Sequence, residues 1–155
     1  MDIIKLPEMT EKEIISVLNN ENICRIAFIE DVYPYICPFQ YVYIKDQLYF
    51  HFTNYGKKMK IISKNKNVCV SIEKFEPDLS SYFFISIQGK LIQIEDKTIL
   101  KVVIEEIVNK AKMQFSKNFL AAHGFKQEDG WESLIEDSLL IYKLEESGSR
   151  IGLKS

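Results

Sequence analysis

Pro34-Tyr35-Ile36-Cys37-Pro38-Phe39-Gln40-Tyr41-Val42-Tyr43 and, a few residues on, Tyr49-Phe50-His51-Phe52-Thr53-Asn54-Tyr55-Gly56-Lys57-Lys58 form the stretch around which the chain is organised. The run from Tyr35 to Ile44 is apolar or aromatic on both faces, as expected of a strand covered on both sides. Lys45-Asp46-Gln47 reads as a hairpin turn. Leu48 to Thr53 then returns as a second strand, with Leu48, Phe50 and Phe52 on one face and Tyr49, His51 and Thr53 on the other. Pro38 falls in the middle of the first strand. A proline cannot donate to a sheet ladder, so an edge, a bulge or a ligand-facing segment is expected there. Asn54-Tyr55-Gly56 breaks the second strand, and a short helix is expected over 57–64, with Met59, Ile61 and Ile62 available for burial. Gly56-Lys57-Lys58 opens that helix. Unpaired N–H groups, the positive end of the helix dipole and two ammonium groups together suit an anion.

Upstream, Thr10-Glu11-Lys12-Glu13 has the pattern of a capping box and starts a helix over 10–20, with Ile14, Ile15, Val17 and Leu18 as its apolar stripe. Ile23 to Ile29 reads as a strand. Ile23, Arg25, Ala27 and Ile29 share one face, and Cys24, Ile26 and Phe28 share the other. Downstream, Val68 to Glu73 and Tyr82 to Ile94 read as strands, and Gly89 within the second marks a bulge or a close approach. Asp96 to about Phe115 has the clearest helical period, through Ile99, Leu100, Val103, Ile104, Ile107, Val108 and Ala111. Phe119, Leu120, Phe125, Trp131 and Leu134 suggest short helical turns and packed loops over 116–137. Ser138 to Glu145 is expected as the last strand, and Ser147-Gly148-Ser149-Arg150 as the start of a polar tail. Six strands joined mostly by short turns point to a mainly β protein, an antiparallel barrel with peripheral helices.

The 155 residues fit one domain spanning 1–155, and 46% hydrophobic with 27% charged residues fit a soluble globular protein. A net charge of −2 carries no global basic field, so neither nucleic acid nor a membrane surface is an expected partner. Cys24, Cys37 and Cys69 are odd in number and lack a Cys-x-x-Cys spacing, which argues for free thiols in a reducing compartment. The N-terminus has no long apolar region of a signal peptide, and no stretch is long enough to span a membrane. A cytoplasmic protein is expected.

The sequence contains no Gly-x-Ser-x-Gly, no Gly-x-Gly-x-x-Gly and no His-x-x-His. With two histidines, His51 and His123, a multi-histidine metal site is not expected. Each remaining signal is ordinary by itself. A lone histidine on a strand is usually a packed or surface side chain, and a lysine pair is usually a solvated helix start. Arg25, in period with apolar residues, is expected to pair with a carboxylate or another anion, since burying it unpaired is costly.

In combination they are more specific. A short helix, a strand with Arg25-Ile26-Ala27, then Pro34 to Pro38, Tyr49-Phe50-His51-Phe52, Gly56-Lys57-Lys58 and Asn65-Lys66-Asn67-Val68-Cys69-Val70 follow in this order. The arrangement resembles the FMN-binding split-barrel proteins related to pyridoxamine 5′-phosphate oxidase, and within them the nitroimidazole-resistance flavoproteins. The resemblance covers about residues 8–95 and is loose beyond. It implies a six-stranded split barrel, a homodimer, and FMN in clefts at the dimer interface. It further implies a flavin-dependent oxidoreductase acting on a small molecule (a nitroaromatic, a quinone or a B6 vitamer), with reduced nicotinamide as a candidate electron donor. By the same resemblance, Pro38, Phe39, Gln40 and Tyr41 lie along the flavin ring, His51 and Thr53 line the cofactor, and Gly56, Lys57 and Lys58 hold its phosphate. Arg25 is a further candidate for the phosphate, and His51 is the candidate catalytic residue. Gly-Lys-Lys stands where the B6 oxidases have Ser-Arg-Lys, and the chain has only two arginines, which speaks against vitamin B6 oxidation. Two other readings stay open. One is a haem-binding or haem-degrading split barrel with His51 or His123 as ligand. The other is a flavin binder without catalysis.

Overall fold

The structure is a computed structural model and describes residues 3–122, 125–130 and 139–155. In chain order the elements are α1 (Glu11–Asn20), β1 (Ile23–Phe28), β2 (Tyr35–Ile44), β3 (Gln47–Thr53), α2 (Lys57–Ile62), β4 (Asn67–Phe75), β5 (Tyr82–Gln93), α3 (Lys97–Gln114), α4 (Asn118–Ala122) and β6 (Leu139–Lys154), with a 3-10 turn at Gln127–Asp129 before β6. The strands close into an antiparallel barrel in the order β1-β2-β3-β6-β5-β4. This is the mainly β, six-stranded barrel with peripheral helices that the alternation predicts.

Local chemistry accounts for most element boundaries. The Thr10 hydroxyl accepts from the Glu13 N–H, and the Glu13 carboxylate accepts from the Thr10 N–H at 2.8 Å, which closes the capping box of α1. Asp96 caps α3 with its side chain alone, accepting from the N–H groups of Thr98 and Ile99. Lys45 and Asp46 both take positive φ, 47° and 60°. That is the primed two-residue turn whose twist suits a hairpin.

The alternation in β1 holds. Cys24, Ile26 and Phe28 are buried in the barrel core, while Ile23 and Arg25 face outwards. Register then assigns the faces of β2, because Cys24, Ile26 and Phe28 lie opposite Phe39, Cys37 and Tyr35. Tyr35, Cys37 and Phe39 therefore point inwards, and Ile36, Pro38 and Gln40 point outwards. On the outside, α3 lays Val103 and Ile107 against Val42 and Ile141. It covers β2 from Gln40 onwards. Ile36 keeps 56% of its surface exposed, so the expected cover on both faces is absent there within the single chain.

The last strand differs most from the expectation. Residues 147–150 are not a tail: β6 continues to Lys154. Its first part pairs with β3, through Leu139 opposite Thr53 to Lys143 opposite Tyr49. Its second part completes the ladder with the 12-residue β5. Between Ile87 and Gly89 the register shifts, so the polar residues 147–149 form a bulge inside the strand. The Gln88 side chain accepts from the Ser149 N–H at 3.2 Å and lies against Gly148. A long partner strand thus makes a strand of residues that carry no strand signal. The far end is tied to α1 by ion pairs of Arg150 with Glu11 and Lys154 with Glu13.

Phe119, Leu120 and Phe125 pack with Val108 and Leu139 as the composition suggests. Trp131, Leu134 and Ser138 lie outside the described residues. No described helix is long and apolar enough to cross a membrane.

Gly89, where the sequence points to a bulge or a close approach, is a close approach beside the bulge of β6. A Cβ there would lie 2.4 Å from the Glu145 carbonyl oxygen. Backbone cannot yield as a side chain end can, so Gly89→Ala is expected to lower unfolding free energy by about 1–3 kcal/mol. Chemical denaturation of the two proteins checks this.

Candidate functional site

The site arises where β2 changes neighbours. Its first half, Tyr35 to Gln40, pairs with β1, and its second half, Tyr41 to Ile44, pairs with β3. Beyond Phe50, β3 pairs with β6 through His51, Phe52 and Thr53. Among the described residues, the first half of β2 and the end of β3 therefore face each other without a ladder between them. The barrel is split here.

The direction of the backbone groups follows. The Tyr41 N–H donates to the Asn22 carbonyl at 2.9 Å, on the β1 side. Backbone groups alternate along a strand, so those of Phe39, Cys37 and Tyr35 also point to β1, and those of Gln40, Pro38 and Ile36 point away from it, into the split. Pro38 lacks an N–H at a position where a strand partner is missing anyway. The open ladder expected around Pro38 is present.

A cleft of about 220 Å³ occupies the split, lined by Tyr35, Cys37, Pro38, Phe39, His51, Thr53, Tyr55 and Lys58. One wall consists of the inward side chains of β2. The other consists of the outward residues His51 and Thr53 of β3 and the loop that follows. His51 is nearly fully buried, at 3% exposure. Phe39 and Phe52 bring their ring centroids to 4.6 Å under the cleft, and Phe28 closes the aromatic cluster. Burial raises the pKa of the Cys37 thiol and of the Tyr35 hydroxyl.

At the other end, Gly56 takes φ 92°, ψ −178°, a conformation reserved for glycine, and starts α2. That turn sends Lys58 back towards the cleft. Its ammonium donates to the Thr53 hydroxyl at 2.9 Å and the Tyr55 carbonyl at 3.1 Å, and lies 5.2 Å from the centre of the Tyr55 ring. Burial lowers its pKa by penalising the ammonium, and an anion bound beside it would shift it back up. Lys57 stands differently. It pairs with Glu30 at 2.6 Å and lies over the Tyr35 ring at 5.1 Å, on the rim.

The residues singled out in the sequence thus fall into two groups. Pro38, Phe39, His51, Thr53 and Lys58 meet in the cleft, Gly56 shapes its end and Lys57 stands at its edge. Three others lie elsewhere. Arg25 faces outwards and pairs with Glu73 of β4, so the expected carboxylate partner is found, at a place apart from the cleft lining. The Gln40 side chain is buried under α3 and donates to the Ile107 carbonyl at 3.2 Å. Tyr41 points into the barrel core. Only the backbone of Gln40 faces the split. His123 lies outside the described residues. Tyr35, Cys37 and Tyr55 line the cleft without having been singled out. The period of two that places Phe39 inwards also places Tyr35 and Cys37 there, and that signal was available.

Among the described residues, no group of three or more histidine, cysteine or acidic side chains is placed to hold a metal ion. A split barrel whose strand gap holds an aromatic-walled cleft with a lysine at one end defines the class. Residues 10–124 match the pyridoxamine 5′-phosphate oxidase family, and the chain belongs to that family. A comparison with curated proteins finds no match. Several solved structures share the fold. A FAD-binding protein of Mesorhizobium loti is 18% identical, with 98% of this chain and 99% of that one covered and a TM-score of 0.68. A Bacteroides thetaiotaomicron protein proposed to confer 5-nitroimidazole antibiotic resistance is 21% identical over 97% and 90%, with a TM-score of 0.66. The haem storage protein HutZ of Vibrio cholerae is 12% identical over 93% and 94%, with a TM-score of 0.65. At these identities the likeness is one of fold.

The three thiols report on this geometry. Cys24 is buried in the core, while Cys37 and Cys69 are partly accessible. A thiol reagent is expected to reach Cys37 and Cys69 in the native protein, and Cys24 only on unfolding. Because burial holds the Cys37 thiol above the ordinary range, its labelling should keep rising with pH after an exposed cysteine has levelled off. Mass-spectrometric labelling of the wild type and Cys37→Ser checks both points.

Proposed function

We propose that the protein is an FMN-binding flavoprotein that carries out flavin-dependent redox chemistry on a small molecule. The observation that carries this is the split itself: open strand backbone and aromatic side chains on one side, and a partly desolvated lysine at the end. A flat heteroaromatic ring with polar edges and a phosphate-bearing chain matches that set. The backbone of Pro38 and Gln40 would meet the ring's polar edge, Tyr35 and Phe39 would contact its apolar surface, and Thr53 and Lys58 would hold the phosphate through charge-assisted hydrogen bonds. Bound FMN would supply two-electron transfer between a donor such as reduced nicotinamide and the substrate. His51, buried at the cleft wall, is the residue placed to hold or move a proton there. Membership of the family and the likeness to a FAD-binding protein support a flavin. The likeness to the nitroimidazole-resistance protein supports nitroaromatics as one substrate class to test, beside quinones.

The size of the cleft supports a homodimer. Ligand pockets run from about 300 Å³ upwards, and about 220 Å³ in one chain is too little to enclose a flavin. A second copy would supply the missing wall. The outer face of β2 beside the split, where Ile36 is half-exposed, is where it would sit. Haem is the second reading, favoured by His51 in the cleft and by the likeness to HutZ.

Purification decides between cofactors. Flavin absorbance with FMN released on denaturation is expected, whereas a haem Soret band lost in His51→Ala would replace the flavin reading. Lys58→Ala should weaken FMN by about tenfold to a hundredfold, the scale of a lost charged hydrogen bond, and riboflavin far less. Equal losses, read by fluorescence titration, would remove the phosphate from that end of the cleft. Ile36→Glu should shift the protein from dimer to monomer in sedimentation and lose flavin at the same time.

A further inference from the structure

Two walls of the split are joined at the rim by one ion pair. Glu30 belongs to the turn between β1 and β2, and Lys57 opens α2 beyond β3. Their charged groups are 2.6 Å apart. The Lys57 ammonium also lies over the ring of Tyr35, which lines the cleft. With 51% of the lysine and 33% of the glutamate side chain exposed, this is a solvated pair. Such pairs are weak and exchange readily for another anion. The neighbouring lysine has different company. Lys58 donates to a hydroxyl and a carbonyl, both neutral, so its charge is not cancelled at that contact. An anion drawn to the two lysines therefore meets one favourable ammonium and one already held by a carboxylate.

We propose that Glu30 sets the charge selectivity of the cleft. Its carboxylate holds Lys57 in the ligand-free chain and competes with a ligand's phosphate for that lysine. The proposal rests on the reading of the cleft as a flavin site. Glu30 acts on the ligand through charge, by keeping the adjacent Lys57 occupied, so it penalises the phosphate of FMN and spares uncharged riboflavin. In effect it restrains the preference that Lys58 creates, and keeps the site from binding phosphate-bearing molecules indiscriminately. The like-charge penalty is electrostatic and falls as salt screens it.

Glu30→Gln tests this, since it removes the charge and keeps the shape. FMN and riboflavin are titrated against wild type, Glu30→Gln and Glu105→Gln, the last removing one exposed charge from α3. The ratio of riboflavin to FMN dissociation constants should rise about threefold to tenfold in Glu30→Gln, as for the loss of one partly screened like charge, and stay unchanged in Glu105→Gln. The gain should shrink at high salt. An unchanged ratio, or equal weakening of both flavins, overturns the proposal and leaves Glu30 as a structural tie. An equal rise in Glu105→Gln also overturns it, because the effect would then belong to net charge. A wild type that binds neither flavin overturns the reading of the cleft itself, and is distinguished by that result.

Discussion

The structure depends on β2 having one neighbour for its first half and another for its second. A ten-residue strand that pairs with β1 up to Gln40 and with β3 from Tyr41 cannot keep the barrel wall continuous. The result is a short length of strand whose backbone polar groups point into open space. Unpaired backbone groups are costly when buried, so such a gap persists where water or a ligand can satisfy them. Pro38 reduces the cost by one donor. The cleft is thus a consequence of strand pairing before any side chain is considered.

Around that gap the other elements serve as braces. β6 pairs with β3 on one side and β5 on the other, which keeps the end of β3 in place after β2 has left it. On the outside, α3 packs on Val42 and Ile141 and receives the Gln40 side chain on the Ile107 carbonyl. The point at which β2 leaves β1 for β3 is therefore held from outside. Gly56 then turns the chain so that Lys58 reaches Thr53. The arrangement separates two adjacent lysines, one turned to the cleft and one to Glu30 on the rim.

Much of this is legible in the residues. The capping box of α1, the inward faces of β1 and β3, the hairpin turn at Lys45-Asp46-Gln47 and the close approach at Gly89 follow from local rules, because each is signalled by residues close in sequence. Pro38 also announces an interrupted ladder. The polar run 147–149 misleads for a physical reason: its strand character comes from a long partner and a bulge, and neither is local. Gln40 and Arg25 show a related limit, since a polar group in an apolar pattern signals a need for a partner without naming it. Gln40 finds α3, and Arg25 finds Glu73.

By itself the sequence determined most of the elements (though not the second half of β6), their alternation, the interruption near Pro38 and the glycine turn that starts α2, since backbone sterics and periodicity act over a few residues. The order of motifs also indicated the family. Only the tertiary structure decided which strands separate, and so which side chains meet across the split. His51, Thr53 and Lys58 come from one stretch, but their opposite wall is formed by Tyr35, Cys37 and Phe39. Which half of β2 pairs with β1 and which with β3 is set by closure of the whole barrel, a condition that no local segment contains.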